Sequence, residues 1–178
     1  MSVNMNQIFL IAFILCLIGY LLHTISHFFE YKGYSLGQSK MFEIVLTIVI
    51  FIGYIGWFLM SFFDPIRINI SDYIAVPLGL AIGVPGLALF VISAKSKRGF
   101  RELEYLVTEG IYSKLRNPMY VGIMLIHVGF PIVARSLLTL FSAIIWIPLI
   151  LIWKYMEEKD LKKKFGNEYL EYKKRTIF

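Results

Sequence analysis

Arg116-Asn117-Pro118-Met119-Tyr120 and, one apolar hairpin later, Glu157-Glu158 place ionisable groups at both mouths of a segment otherwise suited to lipid. Ionisable residues at such positions are expensive, so they point to a site. Pro118 suits a first helical turn because its missing N–H would have no partner there, and the free amides of that helix start join the Arg116 guanidinium in a local anion site. Tyr120 falls one turn above Arg116 on the same face, where its hydroxyl can reach the same place. Glu157 and Glu158 are about 100° apart around a helix, so they cannot share one role: one can accept hydrogen bonds from a bound polar ligand while the other pairs with Arg116 or a tail Lys. The two clusters meet at one end of one hairpin. They can therefore form two sides of a chamber that is open to water for a polar ligand and to lipid for an apolar one. The plainer reading makes Arg116 a snorkelling cation, Tyr120 an interfacial anchor and the glutamates a solvated charge run.

The elements that would hold this chamber are helices in a membrane. The chain has 178 residues, 58% of them hydrophobic, 17% charged and a mean hydropathy of +0.69, which excludes an ordinary soluble domain. Apolar segments run over 8–29, 42–63, 73–94, 118–134 and 136–154, against about 20 residues for a helical span. The last two are short and join at Arg135, just after Pro131, as a tight hairpin. The net charge of +6 is not spread over a soluble face, which argues against nucleic acid as a partner. Lys95, Lys97, Arg98, Arg101, Lys114 and Arg116 precede the hairpin, and Lys154 to Arg175 follow it; both sets belong on the cytoplasmic side. The loop with Asp64, Arg67 and Asp72 belongs outside. The expected fold is all-α: a polytopic bundle of five spans with the N-terminus outside and the C-terminus cytoplasmic, in a plasma or equivalent membrane. It forms one domain over 1–178, with 1–72 as N-terminal helices and 73–178 as the core. The first apolar run lacks a basic flank and a small-residue cleavage site, so it reads as a retained span. Cys16 is the single cysteine, which leaves no intramolecular disulfide.

The run Glu109-Gly110-Ile111-Tyr112-Ser113-Lys114-Leu115-Arg116-Asn117-Pro118-Met119-Tyr120-Val121-Gly122, then Glu157-Glu158-Lys159-Asp160-Leu161, then Phe165-Gly166-Asn167-Glu168-Tyr169-Leu170-Glu171-Tyr172, resembles the isoprenylcysteine carboxyl methyltransferase and phospholipid methyltransferase superfamily. The likeness covers roughly residues 80 to 178, and Asn117 stands where the family usually has His. It implies an integral membrane enzyme transferring a methyl group from S-adenosylmethionine, leaving S-adenosylhomocysteine, to a lipophilic small-molecule or lipid acceptor, an isoprenylcysteine-type carboxylate foremost. On that footing Arg116 and Glu158 are the catalytic candidates. Gly110, Tyr112, Asn117, Pro118, Tyr120, Glu157 and Glu158 are the cofactor-binding candidates, with Glu158 favoured over Glu157. A carboxylate acceptor needs no base, because it is already ionised near pH 7. An NADPH-dependent sterol-type reductase and a non-enzymatic membrane partner remain as rivals.

Three other patterns stand out. Gly79, Gly83 and Gly86 form a small-residue stripe suited to close helix packing, or to approach by a substrate tail. Leu161, Phe165, Tyr169 and Tyr172 recur at helical spacing on a basic tail, as an interfacial helix or a lid, with Gly166 at a helix end. His23, His27 and Glu30 share one helix face in a spacing that mimics metal ligands, although polar residues facing the bundle or a headgroup explain them better and no metal is expected.

Overall fold

The computed structural model describes residues 4–32, 40–96 and 105–178, apart from the side chains of Glu30, Lys40, Phe42 and Glu43. Lys97, Arg98 and Arg101 lie outside the described residues. Five helices follow in order: α1 (Met5–Tyr31), α2 (Lys40–Phe63), α3 (Asp72–Ser96), α4 (Pro118–Val133) and α5 (Leu137–Arg175), with a 3-10 turn at Gly110–Ser113 before α4. Every apolar segment read from the sequence lies within a helix or oversteps one of its ends by a single residue. Among the described residues α1, α2, α3 and α5 are long and apolar enough to cross a membrane. α4 is the short one: its 16 residues rise about 24 Å against a hydrocarbon core of about 30 Å, in keeping with the short hairpin arm read from the sequence. The 39-residue α5 runs well past the apolar stretch ending near Lys154 and kinks at Gly166, whose φ of 51° and ψ of −120° only glycine adopts readily.

The bundle is two glycine-knit hairpins joined by α5. In the first, a Cβ on Gly19 would stand 2.6 Å from the Gly53 Cα, and one on Gly56 would stand 2.7 Å from the Ala12 carbonyl oxygen. In the second, Gly79 and Gly86 of α3 press on the carbonyls of Gly129 and Gly122 of α4, where a Cβ would meet oxygen at 2.6 and 2.8 Å. The α3 stripe thus closes on protein backbone, which leaves no room there for a substrate tail. The α4–α5 turn forms at Arg135 with φ 53°, yet α4 packs mainly on α3, because that is where the glycines lie.

Aromatic side chains join the hairpins. The Tyr20 hydroxyl meets His127 Nε2 at 2.5 Å, and His127 Nδ1 lies 2.8 Å from the Ile123 carbonyl, so Nδ1 carries the proton and Tyr20 donates. Trp153 of α5 donates to Thr24 of α1 at 2.7 Å. At the far end of the bundle, the fully buried Asp64 accepts from the backbone N–H of Ile66 at 2.9 Å and of Thr139 at 2.8 Å, capping α5 from the α2–α3 connection. Arg67 there donates to the carbonyls of Ser61, Phe62 and Ala134. Together these bonds lock the α2–α3 loop to the α4–α5 turn.

Candidate functional site

Arg116 reaches its place because Gly110, with φ 60°, turns the chain into the 3-10 turn and α4 then starts at Pro118. The chain end returns to this point from α5. Ile177 pairs with the strand-like Leu115 as a parallel bridge, with Arg116 N donating to Ile177 O and Ile177 N to Lys114 O, both at 3.0 Å.

The Arg116 side chain, 7% exposed, donates from Nε to Glu158 Oε1 at 2.8 Å and from Nη1 to the Thr176 carbonyl at 3.1 Å. Asn117 spends its amide on Glu158 Oε1 at 2.7 Å and on the Phe178 carbonyl at 2.8 Å. Lys173 donates to Glu158 Oε2 at 2.9 Å, and Lys154 approaches Oε1 at 3.3 Å. Glu158 is therefore the hub of a clamp that fastens the tail to the start of α4. Burial works against its charge, but hydrogen bonds from Lys173, Arg116 and Asn117, and then the Arg116 charge, outweigh it and hold the carboxyl at about 2.

Glu157, one residue earlier, points elsewhere. It accepts from the Tyr120 hydroxyl at 2.6 Å and lines a small cavity with Leu106, Val107, Tyr112, Arg116, Leu161 and Tyr172. That cavity, about 10 Å³, has room for about one water. The Tyr112 hydroxyl is buried without a hydrogen bond, beside Ser93; the Tyr169 hydroxyl is likewise unbonded, beside the Arg116–Glu158 pair. Burial, foremost, raises both phenols, so each is a proton donor at neutral pH. A buried hydroxyl left unpaired costs about 1–3 kcal/mol, a penalty that a bound ligand can remove.

The two glutamates divide as their angular separation requires: Glu158 accepts from protein donors, whereas Glu157 lines the cavity. Tyr112 and Arg116 also line it. Gly110, Asn117, Pro118 and Tyr120 do not line it; Tyr120 bonds to its wall at Glu157, and Asn117 bonds to Glu158. Sequence reasoning gave no separate role to Lys173 and Thr176, which carry no local signal because they come together with Arg116 only through the tail's return. Tyr169 and Tyr172 were legible as an amphipathic stripe and as part of the resembling motif. In place, they form a small core with Leu106, Leu161 and Phe165, and Tyr172 donates to the Tyr112 carbonyl at 2.8 Å. His23 and His27 bond to each other, Nε2 to Nε2 at 2.8 Å, and His23 stacks on Trp153. Glu30's side chain is outside the described residues, and among those residues no three metal-ligating groups converge.

A guanidinium and phenol donors on one side and a carboxylate on the other suit a ligand carrying both a carboxylate and an ammonium. A family model described as phospholipid methyltransferase matches residues 89–168. Protein-S-isoprenylcysteine O-methyltransferase B of Arabidopsis thaliana is 34% identical over 77 residues, 40% of this chain and 36% of that protein. Protein-S-isoprenylcysteine O-methyltransferase A of the same plant is 27% identical over 156 residues, 84% of this chain and 74% of that protein. The first match thus spans little more than a third of the relative's length. No solved structure matches.

Proposed function

We propose that this chain, which is similar to the isoprenylcysteine carboxyl methyltransferase and phospholipid methyltransferase superfamily, transfers a methyl group from S-adenosylmethionine to a lipophilic acceptor, foremost an isoprenylcysteine-type carboxylate, at the cytoplasmic membrane face. The observation that carries this reading is the convergence of Arg116, Tyr112 and Glu157 on one cavity at the water-facing end of α4 and α5.

The residues fit the amino-acid end of the cofactor. Arg116 and the Tyr112 hydroxyl would take its carboxylate, and Glu157, oriented by Tyr120, would take its ammonium. When bound, the cofactor supplies a methyl group on a sulfonium, whose positive charge disappears as the bond to sulfur breaks. The chain's share is then to bind, orient and exclude water. Glu158, Asn117 and Lys173 contribute by holding Arg116 and the tail in place. A carboxylate acceptor arrives ionised, so the lack of a titrating imidazole at Asn117 removes nothing from the reaction. The cavity is far smaller than the cofactor, so binding requires the tail beyond Gly166 to shift.

The test is calorimetric titration of S-adenosylhomocysteine into the purified protein, with Arg116→Ala and Glu157→Gln in parallel and reduced dinucleotide phosphate as competitor. Saturable binding that both variants lose supports the reading. A folded protein that binds only the dinucleotide, or nothing, overturns it.

A further inference from the structure

The stretch of α5 between the membrane and Gly166 has two faces. Glu157, Glu158, Leu161 and Phe165 turn inward, to the cavity, the clamp and the small tyrosine core. On the opposite side Lys159, Lys162 and Lys163 fall within an arc of about 100°, and Lys164 lies about 100° beyond its nearer edge. All four lysines are exposed, and none makes an ion pair among the described residues; Lys159 and Lys164 only approach the rings of Tyr155 and Phe165. The run holds a single acid, Asp160.

The height of these lysines fits one partner. Counted from Lys154, where the apolar stretch ends, Lys159 stands about 7 Å further along the helix and Lys163 about 13 Å. The polar zone of one leaflet is about 5–8 Å thick. Lys159 therefore lies among headgroups, and the others lie within a Debye length of about 8 Å and can bend back towards them. We propose that the Lys159, Lys162 and Lys163 face of α5 is a docking surface for anionic phospholipid headgroups on the leaflet that carries the Arg116 end. Clustered lysines directly beyond a span draw anionic lipid by this electrostatic route. Because the inward face of the same turns lines the cavity, bound headgroups hold one wall of the chamber. The proposal does not rest on methyl transfer.

The experiment compares spin-labelled phosphatidylglycerol with spin-labelled phosphatidylcholine at the surface of the full chain in bilayers of phosphatidylcholine. The wild type should retain phosphatidylglycerol several-fold over phosphatidylcholine at physiological salt. The preference should fall towards unity at 1 M salt, where the Debye length is about 3 Å. A variant with Lys159, Lys162, Lys163 and Lys164 all changed to Gln should lose most of it while keeping its helical content. Equal retention of both lipids by the wild type overturns the proposal. So does a preference that survives in the variant, which would place it on another surface. Where the fourfold variant fails to fold, Lys159→Gln and Lys163→Gln singly should each lower the preference, and no change in either overturns the proposal.

Discussion

Two charged networks sit at opposite ends of this bundle, and they are built differently. At the Asp64 end the carboxylate and the Arg67 guanidinium bond chiefly to backbone groups of loops that adjoin the helices. At the Arg116 end, side chain meets side chain across α4, α5 and the returning tail, next to a cavity and two unbonded phenols. Backbone partners hold one geometry and suit a permanent joint. Long side chains closing over unsatisfied hydroxyls suit a joint that rearranges when a ligand arrives. The difference separates architecture from function among residues that composition alone would treat alike.

Removing one end's hub should have the largest effect. Glu158→Ala leaves Arg116 buried without its carboxylate, and breaking such a pair costs about 3–5 kcal/mol. Hydrogen exchange at Ile177 and Arg116 should quicken by orders of magnitude, with S-adenosylhomocysteine binding lost; unchanged protection would refute the clamp. Asp64→Asn should lower stability by about 1–3 kcal/mol, read as a drop in melting temperature, because it weakens the charge-assisted bonds that cap α5. Its ligand affinity should stay at the wild-type value, and a matching fall in affinity would erase the contrast between the ends.

Tyr112→Phe sharpens the comparison. The hydroxyl makes no bond without ligand, so the variant should melt at or slightly above the wild-type temperature. Affinity for S-adenosylhomocysteine should fall about tenfold, equivalent to about 1.4 kcal/mol. A destabilised variant with intact affinity would make Tyr112 structural. The smallest effect is in pH. Glu158 has its carboxyl lowered from 4.5 to about 2, so its contribution is fully present above about 4.5 and is lost as pH falls towards 2. Tail protection should therefore be flat from pH 7 to 5 and decline below that. A decline centred near pH 6 would implicate a different group.

Much of the fold was legible because lipid burial demands long apolar runs, and the runs found in the sequence recur as α1 to α5. The glycine stripe also identified its own use: small residues at helical spacing are what close backbone contact requires. Where α4 packs was not legible, since the turn at Arg135 suggested α5 while Gly122 and Gly129 chose α3. At the site, Arg116, Tyr120 and the glutamate pair stood out as ionisable or polar groups at a membrane mouth. Which glutamate faced the cavity depended on the phase of α5, and phase is set by Trp146 and Trp153 packing on Tyr20 from a helix far away in sequence.

By itself, then, the amino-acid sequence determined a helical membrane bundle and the end of it where Arg116, Tyr120 and the glutamate pair gather. Hydrophobicity and helical period act locally and leave their mark in every window of the chain. The tertiary structure alone decided that Glu158 clamps and Glu157 faces the cavity, that Asp64 caps a helix 75 residues away, and that the tail returns to seal the mouth. Those outcomes depend on contacts between segments remote in sequence, where one helix's rotation settles whether a carboxylate meets protein or ligand.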